Sequence, residues 1–225
     1  MFKRLITLGC SQTYGHGLSD ISKQGGHPIM SKGPSKQAWP ALLGHKLDCK
    51  ISNMAMPAAS NKHIAHSVST FEGAKKPIKR NTIIVFCWTY MLRSCIIKED
   101  GSFTYIHAHK VDEHAAGYKE SEAWVKYRLS ADPDNTDLMH DNLVWMSWAN
   151  QYARRRTPHV YNFSMMGGID KDLQKLYNIN ILQDLTYITR QHPLALDNSH
   201  LGPEAHKEVA NVINTHIMCN QKKEN

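Results

Sequence analysis

The sequence predicts an α/β domain in which a mostly parallel sheet carries helices on both faces. Three observations predict it. Residues 82–88, TIIVFCW, form an unbroken apolar run rich in β-branched side chains, the pattern of a central strand covered on both sides. Shorter strand-like segments at RLITL (4–8), CKISNMAM (49–56) and HVYNFSMM (159–166) alternate with stretches of helical periodicity. That alternation is the signature of a layered α/β fold. In such folds, functional side chains gather at the carboxyl ends of the strands.

Each element follows from local chemistry. The first strand covers Arg4 to Leu8 and ends at Gly9. Residues 18–36 are rich in Gly, Ser, Lys and Pro and predict a long loop. Trp39, Leu42, Leu43 and Leu47 recur at helical spacing, and Pro40 suits the first turn, where no N–H is needed. After the strand CKISNMAM comes the turn PAAS, and Ser60 can cap a helix that buries Ile64, Val68 and Phe71. Residues 94–135 are polar and turn-rich. A hairpin is expected around Asp100-Gly101, and the whole segment reads as an insertion or lid within a single domain spanning 1–225. Thr136 or Asp137 caps a helix running to about Arg156, whose basic end suits a helix C-terminus. Pro203 opens the last helix, with Ala205, Val209, Val212, Ile213 and Ile217 inward and His206 expected at the surface.

Composition narrows the function classes. Of 225 residues, 41% are hydrophobic and 21% charged, a globular balance. No apolar run approaches the roughly 20 residues that span a bilayer, and LITL is too short for a signal-peptide core. Five cysteines without a CxxC pair predict reduced thiols and a cytoplasmic setting. The formal charge is +7, with basic runs at KKPIKR and ARRR. Aromatics are not interleaved with these runs, so a solvated basic face is expected ahead of a nucleic-acid or other anion-binding surface. His63 and His66 lie three apart with no clear carboxylate partner, so no metal is predicted. No glycine pattern marks a nucleotide site, and no cofactor is expected.

Two motifs carry chemistry. GCSQTYG (9–15) places Ser11 in a tight strand-to-helix turn, either as a helix cap or as an exposed nucleophile beside its own N–H. DNSH (197–200) puts a carboxylate and an imidazole three apart just before the last helix. Such a pair either caps the helix or supplies the base and orienting acid of a Ser-His-Asp triad.

In this order the motifs resemble the first and last sequence blocks of the SGNH/GDSL hydrolase family, in a divergent, phage-type form. Gly9-Cys10-Ser11-Gln12-Thr13 stands where the family reads GDSxT, with Cys10 in place of Asp, and Asp197 to His200 matches the family's DxxH. The family's Asn and its Gly five residues later correspond to Asn53 and Ala58. Ala58 donates its N–H without strain only at negative φ. The family's third-block Asn falls at Thr89, and Asn61 is a nearby amide donor or an early-helix cap. Arg93 is either structural or a contact for an anionic substrate group.

The resemblance implies a three-layer α/β/α sandwich and a serine esterase without metal or organic cofactor. Ser11, Asp197 and His200 would form the triad, and Ser11, Ala58, Thr89 and Asn61 the oxyanion hole. The implied substrates are small acyl or carbohydrate O-acyl esters. An acyltransferase on the same site, and a virion-associated binding protein that keeps the fold, are the alternatives.

Overall fold

A computed structural model of the chain describes residues 2–22, 29, 32–73, 77–107, 118–132, 134–165 and 167–224. Its strands are β1 (Arg4–Leu8), β2 (Lys50–Asn53), β3 (Thr82–Trp88), β4 (Arg93–Ile97), β5 (Phe103–His107), β6 (Val160–Ser164) and β7 (Ile181–Asp184). Its helices are α1 (Ser11–Tyr14), α2 (Trp39–Lys46), α3 (Asn61–Gly73), α4 (Tyr118–Ala131), α5 (Thr136–Arg154), α6 (Lys171–Leu176) and α7 (Pro203–Glu224).

Five strands form one sheet in the order β2-β1-β3-β6-β7, and every pairing in it is parallel. β3 lies at its centre with all seven residues buried, as its uninterrupted apolar run requires. Successive side chains feed opposite layers. Ile6, Leu8, Ile84, Phe86 and Trp88 pack with Ile64, Val68 and Phe71 of α3 and Leu143 and Met146 of α5. Leu5, Ile83, Val85 and Cys87 pack with Trp39 and Leu43 of α2 and Val209 and Ile213 of α7. The result is the expected three-layer α/β/α sandwich.

Most elements fall where the periodicity places them, including the Ser60 cap, whose hydroxyl accepts from His63 N–H at 3.3 Å. Two findings add to or correct the sequence reading. A fifth strand, β7, completes the sheet's edge. Its sequence, Ile-Leu-Gln-Asp, is short and half polar, and its register with β6 slips between Asn162 and Phe163. His206 is fully buried rather than at the surface, and its Nδ1 accepts the Trp39 N–H at the start of α2 (3.1 Å). Burial pushes its pKa down to about 3, so it stays neutral.

The expected hairpin is present as the antiparallel pair β4–β5, turned at Asp100-Gly101 with Gly101 at φ +78°. It stands outside the central sheet. Its Phe103 ring stacks on His63 of α3 at 3.8 Å, and Tyr105 Oη is 2.9 Å from His63 Nδ1. Residues 108–117 of the expected insertion lie outside the described residues. All five cysteines are free thiols, and no described helix is long and apolar enough to cross a membrane.

Candidate active site

β1 leads directly into the one-turn helix α1. Gly9 is required at this junction because a Cβ there would lie 2.2 Å from Thr13 Oγ1. Cys10 takes the N-cap position but makes no side-chain cap, and it is fully buried. Ser11 is therefore the first helical residue. Its N–H and that of Gln12 have no acceptor within the turn. Gly15, at φ +86°, ends the helix and returns its N–H to Ser11 O at 3.0 Å.

The loop before α7 is folded by its own acid. Asp197 Oδ1 accepts the N–H groups of Ser199 and His200, both at 3.1 Å. Its Oδ2 lies 2.5 Å from His200 Nδ1. The other ring nitrogen, Nε2, lies 2.9 Å from Ser11 Oγ, 189 residues away in sequence. With Nδ1 protonated, the ring donates to Asp197 and accepts from the Ser11 hydroxyl. The Ser199 hydroxyl sits 3.0 Å from the same Nδ1, a neighbour that sequence reasoning missed. Burial acts to raise the Asp197 pKa, but hydrogen bonds from His200 and the Ser199 and His200 N–H groups outweigh it and hold the carboxyl below its ordinary value.

Two further bonds tie the loops together. Leu201 N–H donates to Gln12 Oε1 at 2.9 Å, and Leu196 N–H to Gly17 O at 3.1 Å. Beside this junction an open pocket of about 450 Å³ is lined by Gly17, Leu18, Leu194, Leu196, Asn198 and Pro203.

The remaining predicted residues lie at the carboxyl ends of β2 and β3, the strands flanking β1. Asn53 donates its amide to Thr13 O at 3.0 Å, and Met56 N–H donates to Gly9 O at 3.2 Å, strapping the loop after β2 to the nucleophile turn. Ala58 has φ +63°, in the left-handed region where a Cβ is strained. Its N–H donates to nothing among the described residues.

Asn61 is fully buried at the start of α3. Its Oδ1 accepts Thr89 N–H at 2.8 Å, while its Nδ2 faces Thr89 O at 3.2 Å and Met91 Sδ at 3.5 Å. Its amide thus bonds to the chain after β3 and supports Thr89. The Thr89 hydroxyl accepts from Arg93 Nη1 at 3.1 Å, which leaves its own proton free to donate. Arg93 also lies over the Tyr90 ring at 5.0 Å, so it serves this turn.

His16, Asp197 and His200 are the one group of metal-type side chains converging among the described residues. The two imidazoles are stacked with planes 3° apart. A metal lies in the plane of each imidazole that binds it, and two parallel planes do not meet. The arrangement therefore does not fit an ion held by both rings.

No family model matches the chain, and no curated protein matches it. Solved structures do. An esterase from Pseudoalteromonas sp., psychrotrophic and seen inhibited by monoethylphosphonate, aligns with TM-score 0.52 at 10% identity, over 99% of this chain and 100% of that one. The fold is that of the SGNH-type esterases. A carbohydrate esterase with divergent catalytic and non-catalytic binding functions aligns with TM-score 0.58 at 10% identity, over 96% of this chain. An acetyl xylan esterase from the rumen bacterium Butyrivibrio proteoclasticus aligns with TM-score 0.51 at 10% identity, over 99% of this chain. This chain spans 64% and 65% of the lengths of those last two proteins.

Proposed function

We propose that the chain is a serine esterase that cleaves a small acyl or carbohydrate O-acyl ester through a covalent acyl-enzyme. The observation that carries this reading is the continuous chain from Ser11 Oγ through His200 to Asp197, at 2.9 and 2.5 Å, assembled from opposite ends of the sequence. Ser11 Oγ attacks the ester carbonyl as its proton passes to His200 Nε2. Asp197 holds the imidazole in the correct tautomer and stabilises the imidazolium. The N–H groups of Ser11 and Ala58, with the Thr89 hydroxyl, receive the oxyanion. His200 returns the proton to the leaving alkoxide, and water, activated by the same ring, releases the acid. The names of the carbohydrate and acetyl xylan esterases that share the fold support the substrate class.

A second reading is a protein that binds such an ester without turning it over. It draws on the strained Ala58 and on Asn61, whose amide serves Thr89. Hydrolysis of p-nitrophenyl acetate and of acetylated xylo-oligosaccharides, followed by acetate release, separates the two. Multiple turnovers by the wild type, abolished in Ser11→Ala, are expected for the esterase. Saturable binding of the acetylated sugar with no acetate released would favour the second reading. Adding an alcohol or sugar acceptor to the same assay distinguishes hydrolysis from acyl transfer.

A further inference from the structure

We infer that His16 is a positioning residue of this site, the wall that holds the His200 ring in line with both Ser11 and Asp197. The inference rests on the triad reading above. The two imidazoles stack face to face with centroids 4.4 Å apart and planes 3° apart. The hydrogen bonds to Ser11 and Asp197 constrain His200 within the plane of its ring, but they resist tilting out of that plane only weakly. A flat ring against one face supplies that restraint. His16 Nε2 also lies 3.9 Å from Asp197 Oδ2.

The backbone around His16 is built to keep it there. Gly15 and Gly17, at φ +86° and +85°, bracket it in a conformation that side chains rarely adopt. His16 N–H donates to Ser11 O at 3.1 Å, and Gly17 O accepts Leu196 N–H at 3.1 Å. The segment is thus anchored to the nucleophile turn through His16 and to the acid loop through Gly17. A Cβ on Gly17 would lie 2.9 Å from Asp197 Oδ1 and 2.8 Å from Ala195 Cβ, so the segment is wedged against the acid itself.

The test compares kcat and KM for p-nitrophenyl acetate in the wild type, His16→Ala and His16→Phe, with Ser11→Ala as control. Loss of the ring in His16→Ala is expected to lower kcat about tenfold while KM stays within about twofold, because the ring acts on His200 and not on bound ester. In His16→Phe, which keeps a flat face, kcat is expected to return to within about threefold of wild type. If His16→Ala does not fold, His16→Gln, similar in length and without a ring, takes its place. A ringless variant with unchanged kcat, or a Phe variant as impaired as the ringless one, would overturn the inference. Undiminished turnover by Ser11→Ala would instead overturn the triad reading beneath it.

Discussion

The two halves of the candidate site are built differently. On one side, Ser11, His200, Asp197 and their neighbours form a closed set of hydrogen bonds in which Gln12, Gly17 and the loop amides brace one another. On the other side, Ala58 occupies a left-handed position, and Thr89 offers one hydroxyl that accepts from Arg93 while Asn61 holds its backbone. Generating a nucleophile needs an unbroken relay, so one missing member removes it. Stabilising an oxyanion needs only donors pointing to one place, and a backbone N–H does this whatever its side chain. On the proposed reading, the difference teaches that a tight proton relay does not require oxyanion donors of one fixed identity.

The largest effect should fall on the relay. Asp197→Asn leaves a side chain of the same size but favours the wrong imidazole tautomer. Its kcat is expected to fall about 10⁴-fold in steady-state ester hydrolysis. Thr89→Val removes one hydroxyl donor of the other half and is expected to cost about 10²-fold in kcat. If the Thr89 loss equals the Asp197 loss, the two halves are not distinct in the way described. Gly17→Ala, which pushes a methyl against Asp197, is expected to fall between wild type and Thr89→Val in kcat.

Two smaller effects concern stability. Burial, reinforced by His66, lowers the His63 pKa to about 4, and burial, reinforced by His200, lowers that of His206 to about 3. In the unfolded chain both titrate near 6.5. Below that pH the unfolded state binds more protons than the folded one, so unfolding becomes easier as pH falls. The stability is fully present above pH 6.5. It is lost at up to about 1.4 kcal/mol per pH unit for each histidine, until pH passes the folded values. Urea unfolding between pH 7 and 4 should show this slope, and His206→Gln, which can still accept the Trp39 N–H, should flatten it. The smallest effect is Ala58→Gly. Relief of the left-handed Cβ is expected to raise stability by up to about 1 kcal/mol, read as a higher urea midpoint.

Much of the molecule was legible because periodicity and burial agree. β3 declares itself through TIIVFCW, and α3 and α7 through apolar residues at helical spacing. The strand-to-helix turn at Ser11 and the loop at Asp197 were legible as motifs. β7 was not, because an edge strand of four half-buried residues needs neither alternation nor a long apolar run. His206 was misread on residue type alone. It lies three, four and seven residues before Val209, Ala210 and Ile213, which is the buried stripe of α7, and that spacing was the available signal. The partners of Asn61 were not legible either, because sequence cannot say which carbonyl a buried amide will meet. His16 was not singled out at all. Its significance comes from a ring brought against it from the far end of the chain, and only the flanking glycines hint at a fixed conformation.

The most direct test of the central claim is covalent. A fluorophosphonate probe mimics the tetrahedral intermediate and reacts only with a serine that has a working base beside it. Incubation of the folded protein with the probe, followed by mass spectrometry of its peptides, is predicted to give one adduct, on Ser11, absent in Ser11→Ala and slowed in Asp197→Asn. No adduct on the intact folded protein, or labelling that persists in Ser11→Ala, would contradict the account.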